Sequence, residues 1–330
     1  MRARTLHVRG VRRRDPRRTG FVRWGALQAD LLIVVALALT VSACQGAGTT
    51  AAEGWTPSRT PDGQPDLQGI WTNYTATPFE VPDPSDTPRL YAGDPDGTGR
   101  GTGPSSFLND TIDRKLTKER SLVVDPPSGR VPIMPWAEEQ RTARLLSIQD
   151  HYANHTPWER CITRGVPGGI FPTGYGSGYQ ILQGPGYVAI VYEMIHEARI
   201  IPTDGRAHPG SGIRLWNGDS RGRWEGDTLV VDITNYNDKG NIATNAAAQR
   251  VRAIPQTETL HVVERFTRVD ENTLSYQATI EDPTVFTGPW TVAMTLQREP
   301  DYKIFEYACH EGNLAIPNTL SAGRARDRAR

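Results

Sequence analysis

The chain has little cysteine, with three in 330 residues, and a formal net charge of zero. So few thiols exclude a disulfide-dense scaffold, and the neutral balance gives no support to nucleic-acid binding. None of its apolar runs reaches the roughly 18 residues that mark a membrane-spanning helix. Several catalytic signatures are missing too. There is no H-E-x-x-H, and the nearest approach to a G-x-S-x-G elbow, Gly176-Ser177-Gly178, lacks the spacing. The glycines at 168–169 and 174–178 precede no helical pattern and no Lys-Ser/Thr, which excludes a phosphate loop. No repeat of constant period occurs, and neither a cofactor nor a metal is expected.

Charge is unevenly spread. Residues 1–43 hold nine arginines and two aspartates, a net of +7, so residues 44–330 carry 28 basic and 35 acidic groups, a net of −7. The arginines precede the apolar run Leu31–Val41, eleven residues long, where a spanning helix needs about 20. A basic region followed by a short apolar one reads as a signal peptide over 1–43. The next residues, Val41-Ser42-Ala43-Cys44, resemble the lipobox of bacterial lipoproteins. That resemblance implies cleavage before Cys44, lipidation of its thiol, and a membrane anchored through several acyl chains as the first partner. Gln45 in place of aspartate implies sorting to the outer membrane, facing the periplasm. Arg17-Arg18 with Phe21 resembles a twin-arginine signal with its spacing off by one, which leaves the export route open.

Two cysteines remain, Cys161 and Cys309, in an oxidising compartment where thiols pair if geometry allows. A bridge between them would close a very long loop and contribute about 4 to 5 kcal/mol in the chain-entropy model.

Residues 44–63 are small, polar and punctuated by Pro and Gly, and read as a flexible tether. Residues 64–330 suit one mainly β domain. LQGIWTNY (67–74) reads as a first strand, 78–104 as a long irregular loop, and 121–124 as a short strand. Pro135 to Ile148 is the best helix, with Ala143, Leu145 and Leu146 as its apolar stripe. The second half alternates short strands and tight turns: 179–183, 187–195, 197–202, 213–218, 221–236 as a hairpin, 258–270, 272–282, 290–299 and 303–310. Such an order predicts an antiparallel meander closing as a barrel, or a sandwich, with one short helix and a long irregular N-terminal portion. In 259–268 neither face is uniformly apolar, because Glu264 and Arg268 share one with Leu260, Val262 and Phe266. Mixed faces suit a barrel whose interior tolerates polar groups.

GDSRGRWEGDTLVVDITNY (218–236), RCITRGVPGG (160–169), YEMIHEARIIPTDGR (192–206) and YACHEGN (307–313) resemble a family of exported bacterial proteins. The resemblance spans most of residues 44–330 and implies no reaction. Gly69-Ile70-Trp71 is similar to the G-x-W of lipocalins, which makes a lipocalin-like barrel the leading expectation.

Four ionisable groups, Glu193, His196, Glu197 and Arg199, sit in or at the end of the apolar stretch 187–195. Unpaired burial of charge is costly, so they should pair with one another or face a cavity. One reading is an ion pair of Glu193 with Arg199 or Arg164. Another makes Glu193, His196 or the second His-Glu pair's His310 an acid or base. A metal site from His196, Glu197, His310 and Glu311 is disfavoured, since adjacent strand residues point to opposite faces. Around 219–227, turn chemistry with Gly222 and Gly226 at positive φ accounts for most residues. Arg221, Arg223 and Trp224 exceed that need and could line a ligand site.

The composite expectation is an envelope lipoprotein whose barrel or cleft holds a small amphipathic molecule. Trp71, Tyr179, Tyr192 and Trp224 would line it, with Arg199 or Arg221 as polar anchor and Arg164 as a further ligand-binding candidate. The alternatives are an envelope hydrolase, lyase or isomerase using Glu193, His196 or His310, and an interaction lipoprotein without a small ligand. Convergent ionisable groups in a pocket would separate the first two, whereas a filled barrel would support the third. The anchor is testable by itself: Cys44→Ser should move the protein from the membrane to the soluble fraction. Retention of that variant on membranes after a carbonate wash would overturn it.

Overall fold

The structure is a computed structural model that describes residues 54–75, 77–81, 120–173, 175–244 and 252–329. Its contacts divide the chain into Met1–Gln45 and Gly46–Arg330, and all described residues belong to the second. The signal segment 1–43, Cys44, half of the tether and most of the 78–104 loop lie outside the described residues.

Among the described residues, twelve strands and two α-helices follow one another. They are β1 (Gly69–Thr72), β2 (Val123–Asp125), helix α1 (Pro135–Leu146), β3 (Gly178–Gly184), β4 (Tyr187–Tyr192), β5 (Ala198–Pro202), β6 (Asp219–Glu225) and β7 (Thr228–Thr234). Then come β8 (Asn241–Thr244), β9 (Arg252–Pro255), β10 (His261–Arg268), β11 (Thr273–Glu281), β12 (Trp290–Arg298) and helix α2 (Ala315–Arg328). The main sheet runs β5-β4-β3-β1-β12-β11-β10-β7-β6, every pair antiparallel, a nearly closed barrel of nine strands. β2 shares an edge of β12 with β1: β1 pairs Arg298 and Gln297, whereas β2 pairs Thr291 and Val292. A separate hairpin, β8–β9, packs beside α1.

The ends of the path, β5 and β6, meet through side chains rather than a backbone ladder. Gly222 makes this approach possible, since a Cβ there would stand 2.8 Å from Thr203 Cγ2 and 2.9 Å from Ile201 Cγ2. The positive φ expected at Gly222 is absent; its lack of a side chain serves packing. Gly226, in the β6–β7 turn, does have φ +60.

Inward-pointing residues alternate along each strand. On β10 these are Val262, Glu264, Phe266 and Arg268, all buried, while their neighbours remain part-exposed. Trp71, Tyr179, Tyr192, Phe266, Tyr276 and Trp290 occupy the interior together with aliphatic side chains. Trp71 of the G-x-W stretch is fully buried, with its indole N–H donating to Leu67 O at 2.9 Å. Trp71, Tyr179 and Tyr192 are therefore core residues and do not line a hollow lumen.

Other sequence readings need correction. The expected 187–195 strand stops at Tyr192 and enters a tight turn with Ile195 at φ 61 and His196 at φ 42. Residues 213–218 and 303–310 form no strand, and α2 is a helix that sequence patterning missed because its apolar stripe is weak. In α1, Ala143 and Leu146 are exposed, and the helix buries Ala137 and Arg141 instead. Part of the expected tether, residues 54–63, lies against the barrel: Arg59 Nη2 is 2.6 Å from Asp227 Oδ1, and Trp55 stands beside Arg268.

The polar core group is an ion pair. Arg199 Nη2 lies 2.6 Å from Glu264 Oε2, both side chains buried, and Tyr276 Oη donates to Glu264 Oε1 at 2.7 Å. Desolvation acts to lower the Arg199 pKa, but the adjacent Glu264 carboxylate outweighs it and holds the guanidinium above its ordinary value. Glu264→Leu should therefore cost roughly 3 to 5 kcal/mol in urea unfolding, because it strands a buried cation. The double variant Arg199→Met/Glu264→Leu should cost clearly less than Glu264→Leu alone; an additive or larger loss would overturn this account.

Candidate functional site

Three features converge at one end of the molecule. Cys161 and Cys309 form a disulfide across 148 residues, with Cα atoms 5.5 Å apart, and tie the 303–313 segment to the loop after α1. Gly323 brings α2 onto that same loop, since a Cβ there would meet Gln149 O at 2.5 Å. Arg326 Nη1 then donates to Gln149 Oε1 at 2.8 Å. Between α2, the disulfide and the loop opens a cleft of about 560 Å³. Its walls include Trp158, Tyr175, Tyr307, Ile148 and Ile316, and its polar residues include His155, Glu159, Glu311 and Asn313. Neither Lys nor Arg is among the described residues lining it.

Trp158, Met194 and Ile195 form a small apolar cluster of their own behind this cleft, with Tyr175 and Tyr307 packed on it. Burial raises the Tyr175 pKa to about 12. Four described non-glycine residues have positive φ, and three of them, Cys161, Ile195 and His196, lie in this region. For a β-branched residue such as Ile195 that conformation costs on the order of 1 to 3 kcal/mol, and such strain concentrates where function over-determines the backbone.

Behind Trp158 stands Arg164, 4% exposed, its guanidinium carbon 4.5 Å from the indole centroid. Nη1 donates to Phe171 O at 3.1 Å, whereas Nε and Nη2 have no hydrogen-bond acceptor. Burial lowers the Arg164 pKa to about 10. Arg164, Tyr192 and Glu197 share a void of about 10 Å³. Burial also raises the Tyr192 hydroxyl to about 12. Glu197 accepts from Thr163 Oγ1 at 2.7 Å and from the Asn217 amide.

No family model, curated protein or solved structure matches this chain in comparisons with known proteins. Its chemistry therefore rests on its own residues.

The expected acid–base set does not come together. Glu193 is buried and accepts from Tyr302 Oη at 2.6 Å, so its partner is a phenol and not Arg199 or Arg164. Gly178 makes room for that contact, as a Cβ there would stand 2.9 Å from Glu193 Oε2. His196 is exposed, with Nδ1 3.0 Å from Tyr307 O, and His310, next to Cys309 in sequence, is exposed. Arg221 is spent on structure: Nη1 lies 2.7 Å from Asp219 Oδ1 and Nε donates to Ala207 O at 3.1 Å. Trp224 is half-buried against the core. Of the five expected ligand residues, only Arg164 and Tyr192 share a void, and Arg199 belongs to the core ion pair.

Sequence reasoning passed over the aromatic trio of the cleft, which comes from three distant segments. It also passed over a chain of contacts on the outer face of β6, β7 and β10. There His208 Nδ1 is 3.1 Å from Asp219 Oδ1, His208 Nε2 is 2.9 Å from Asp232 Oδ2, and His261 Nε2 is 2.8 Å from Asp232 Oδ1. Alternation places Asp232 and His261 outward, but only folding brings His208 between two carboxylates. Among the described residues no group of three or more His, Cys, Asp or Glu could hold a metal ion.

Glu197 gives a pH test. Desolvation raises its pKa, and the Thr163 and Asn217 hydrogen bonds only partly offset this. A carboxyl with a raised folded-state pKa binds its proton more tightly in the native state, so its contribution to stability falls as pH rises through that pKa. Relative to the parent, Glu197→Gln should gain melting temperature as pH climbs from about 4.3, the ordinary glutamate value, toward neutrality. A difference that shrinks over that range would show the carboxylate to be stabilising.

Proposed function

We propose that this is an exported, lipid-anchored protein of the cell envelope that holds a small amphipathic molecule in the cleft under α2 rather than inside the barrel. The carrying observation is the cleft itself. At about 560 Å³ it falls within the roughly 300 to 1,000 Å³ typical of small-molecule sites. Its walls are aromatic and aliphatic, and among the described residues its carboxylates, Glu159 and Glu311, face no Lys or Arg. That combination suits a ligand with an apolar ring or chain and a cationic or hydroxyl head, since carboxylates and aromatic faces both attract cations. Export is supported by the basic, then apolar N-terminal sequence, by Cys44 after small residues, and by the disulfide.

A second reading has a specific observation behind it. The barrel interior is filled, and Phe305 and Leu314 are 67% and 62% exposed on the segment that carries the cleft wall. Both features suit an interaction lipoprotein whose C-terminal segment meets another macromolecule. Neither reading uses Glu193, His196 and His310 as a catalytic set.

The neutral hydrophobic fluorophore N-phenyl-naphthylamine separates them. Saturable binding that weakens by about tenfold, or 1.4 kcal/mol, in Ile316→Glu, with the melting temperature little changed, is expected. An absence of saturable binding would favour the interaction reading, and binding indifferent to Ile316→Glu would move the site away from the cleft.

A further inference from the structure

A second cleft, of about 460 Å³, lies between α1, the 153–160 loop and the β8–β9 hairpin. Its electrostatics oppose those of the first. Among the described lining residues Arg144, Arg160 and Lys239 stand against one acidic residue, Asp238, in a chain whose residues 44–330 carry a net of −7. Among the described residues none of the three cations forms an ion pair. Burial lowers the pKa of Arg144, and the like charge of Arg160 lowers it further. Two guanidiniums lining one cleft without an ion-paired carboxylate repel each other, and an acidic chain offers many carboxylates that could have relieved them.

The remaining lining is as specific. Trp136 is 43% exposed, and its indole N–H is fixed on Thr284 O at 3.0 Å. Trp216 joins Trp136 in lining the cleft. Gln140 Oε1 and His155 Nε2 are buried at the wall without a hydrogen-bond partner. Flat indoles, unneutralised guanidiniums and unsatisfied polar atoms in one concave site form a recognition set for a charged ring.

We propose that this cleft binds an oxyanion carried on a planar ring, the anion between Arg144, Arg160 and Lys239 and the ring against the tryptophans. The site adjoins the acidic cleft under α2 only through His155, which lines both; the anion-binding cations belong to this cleft alone.

Benzoate serves as the probe, titrated into the full chain and followed by calorimetry and tryptophan fluorescence. Benzamide tests the charge and acetate tests the ring. Benzoate should bind saturably, with both controls at least about tenfold weaker. Arg144→Gln/Arg160→Gln should weaken benzoate by about tenfold or more while holding or raising the melting temperature, because it removes like-charge repulsion. A merely structural role for the arginines would lower that temperature instead. Lys239→Gln, on an exposed turn, supplies the same test should the double variant misfold. The proposal fails if benzoate does not saturate, if benzamide matches it, or if the folded charge variants bind as the parent does. Retained N-phenyl-naphthylamine binding in those variants would keep the two clefts distinct.

Discussion

The barrel depends on how its last gap is closed. Nine antiparallel strands leave β5 and β6 without a shared hydrogen-bond ladder, and the gap is spanned from inside. Arg199 on β5 reaches Glu264 on β10 through Nη2, while its Nε donates to Ser220 Oγ on β6 at 2.9 Å. One guanidinium thus ties three strands, two of them the free ends of the sheet. An ion pair so deeply buried gives little net stability compared with apolar packing, but breaking half of it is costly. It joins β5, β6 and β10 from within, while the close backbone approach is granted by Gly222.

Closing the barrel around that pair fills it. Aromatic side chains from β1, β3, β4, β10, β11 and β12 occupy the interior, and the recognition features move outside. Both large clefts are walled by loops and helices that the barrel carries, with the disulfide and Gly323 holding α2 in place. Rigid sheet beneath and variable segments above is the usual division between scaffold and site.

The two clefts share His155, which lines both. On one side stand Glu159 and Glu311 with aromatic walls; on the other, Arg144 and Arg160 with tryptophans. Charged side chains of opposite sign thus line the two clefts that meet at a single buried imidazole.

Local sequence made most strands of the barrel legible, because period-two burial and turn residues act between near neighbours, but it missed β8 and β9 and expected strands at 213–218 and 303–310 that do not form. The β6–β7 hairpin around Gly226, the alternation of 259–268 and the helix starting at Pro135 were all legible for that reason. The cysteine count determined the bridge, since only one pairing was open once Cys44 was set aside. Helix α2 and the break at Ile195 were not legible: the first has a weak apolar face, and the second is a backbone choice made by the packing of Met194 and Trp158. Partner choice was out of reach altogether. Glu193 found Tyr302 and Arg199 found Glu264, over separations of 109 and 65 residues. Charge pairing in a core is decided by which side chains closure brings within a few ångströms, and only the tertiary structure sets that distance.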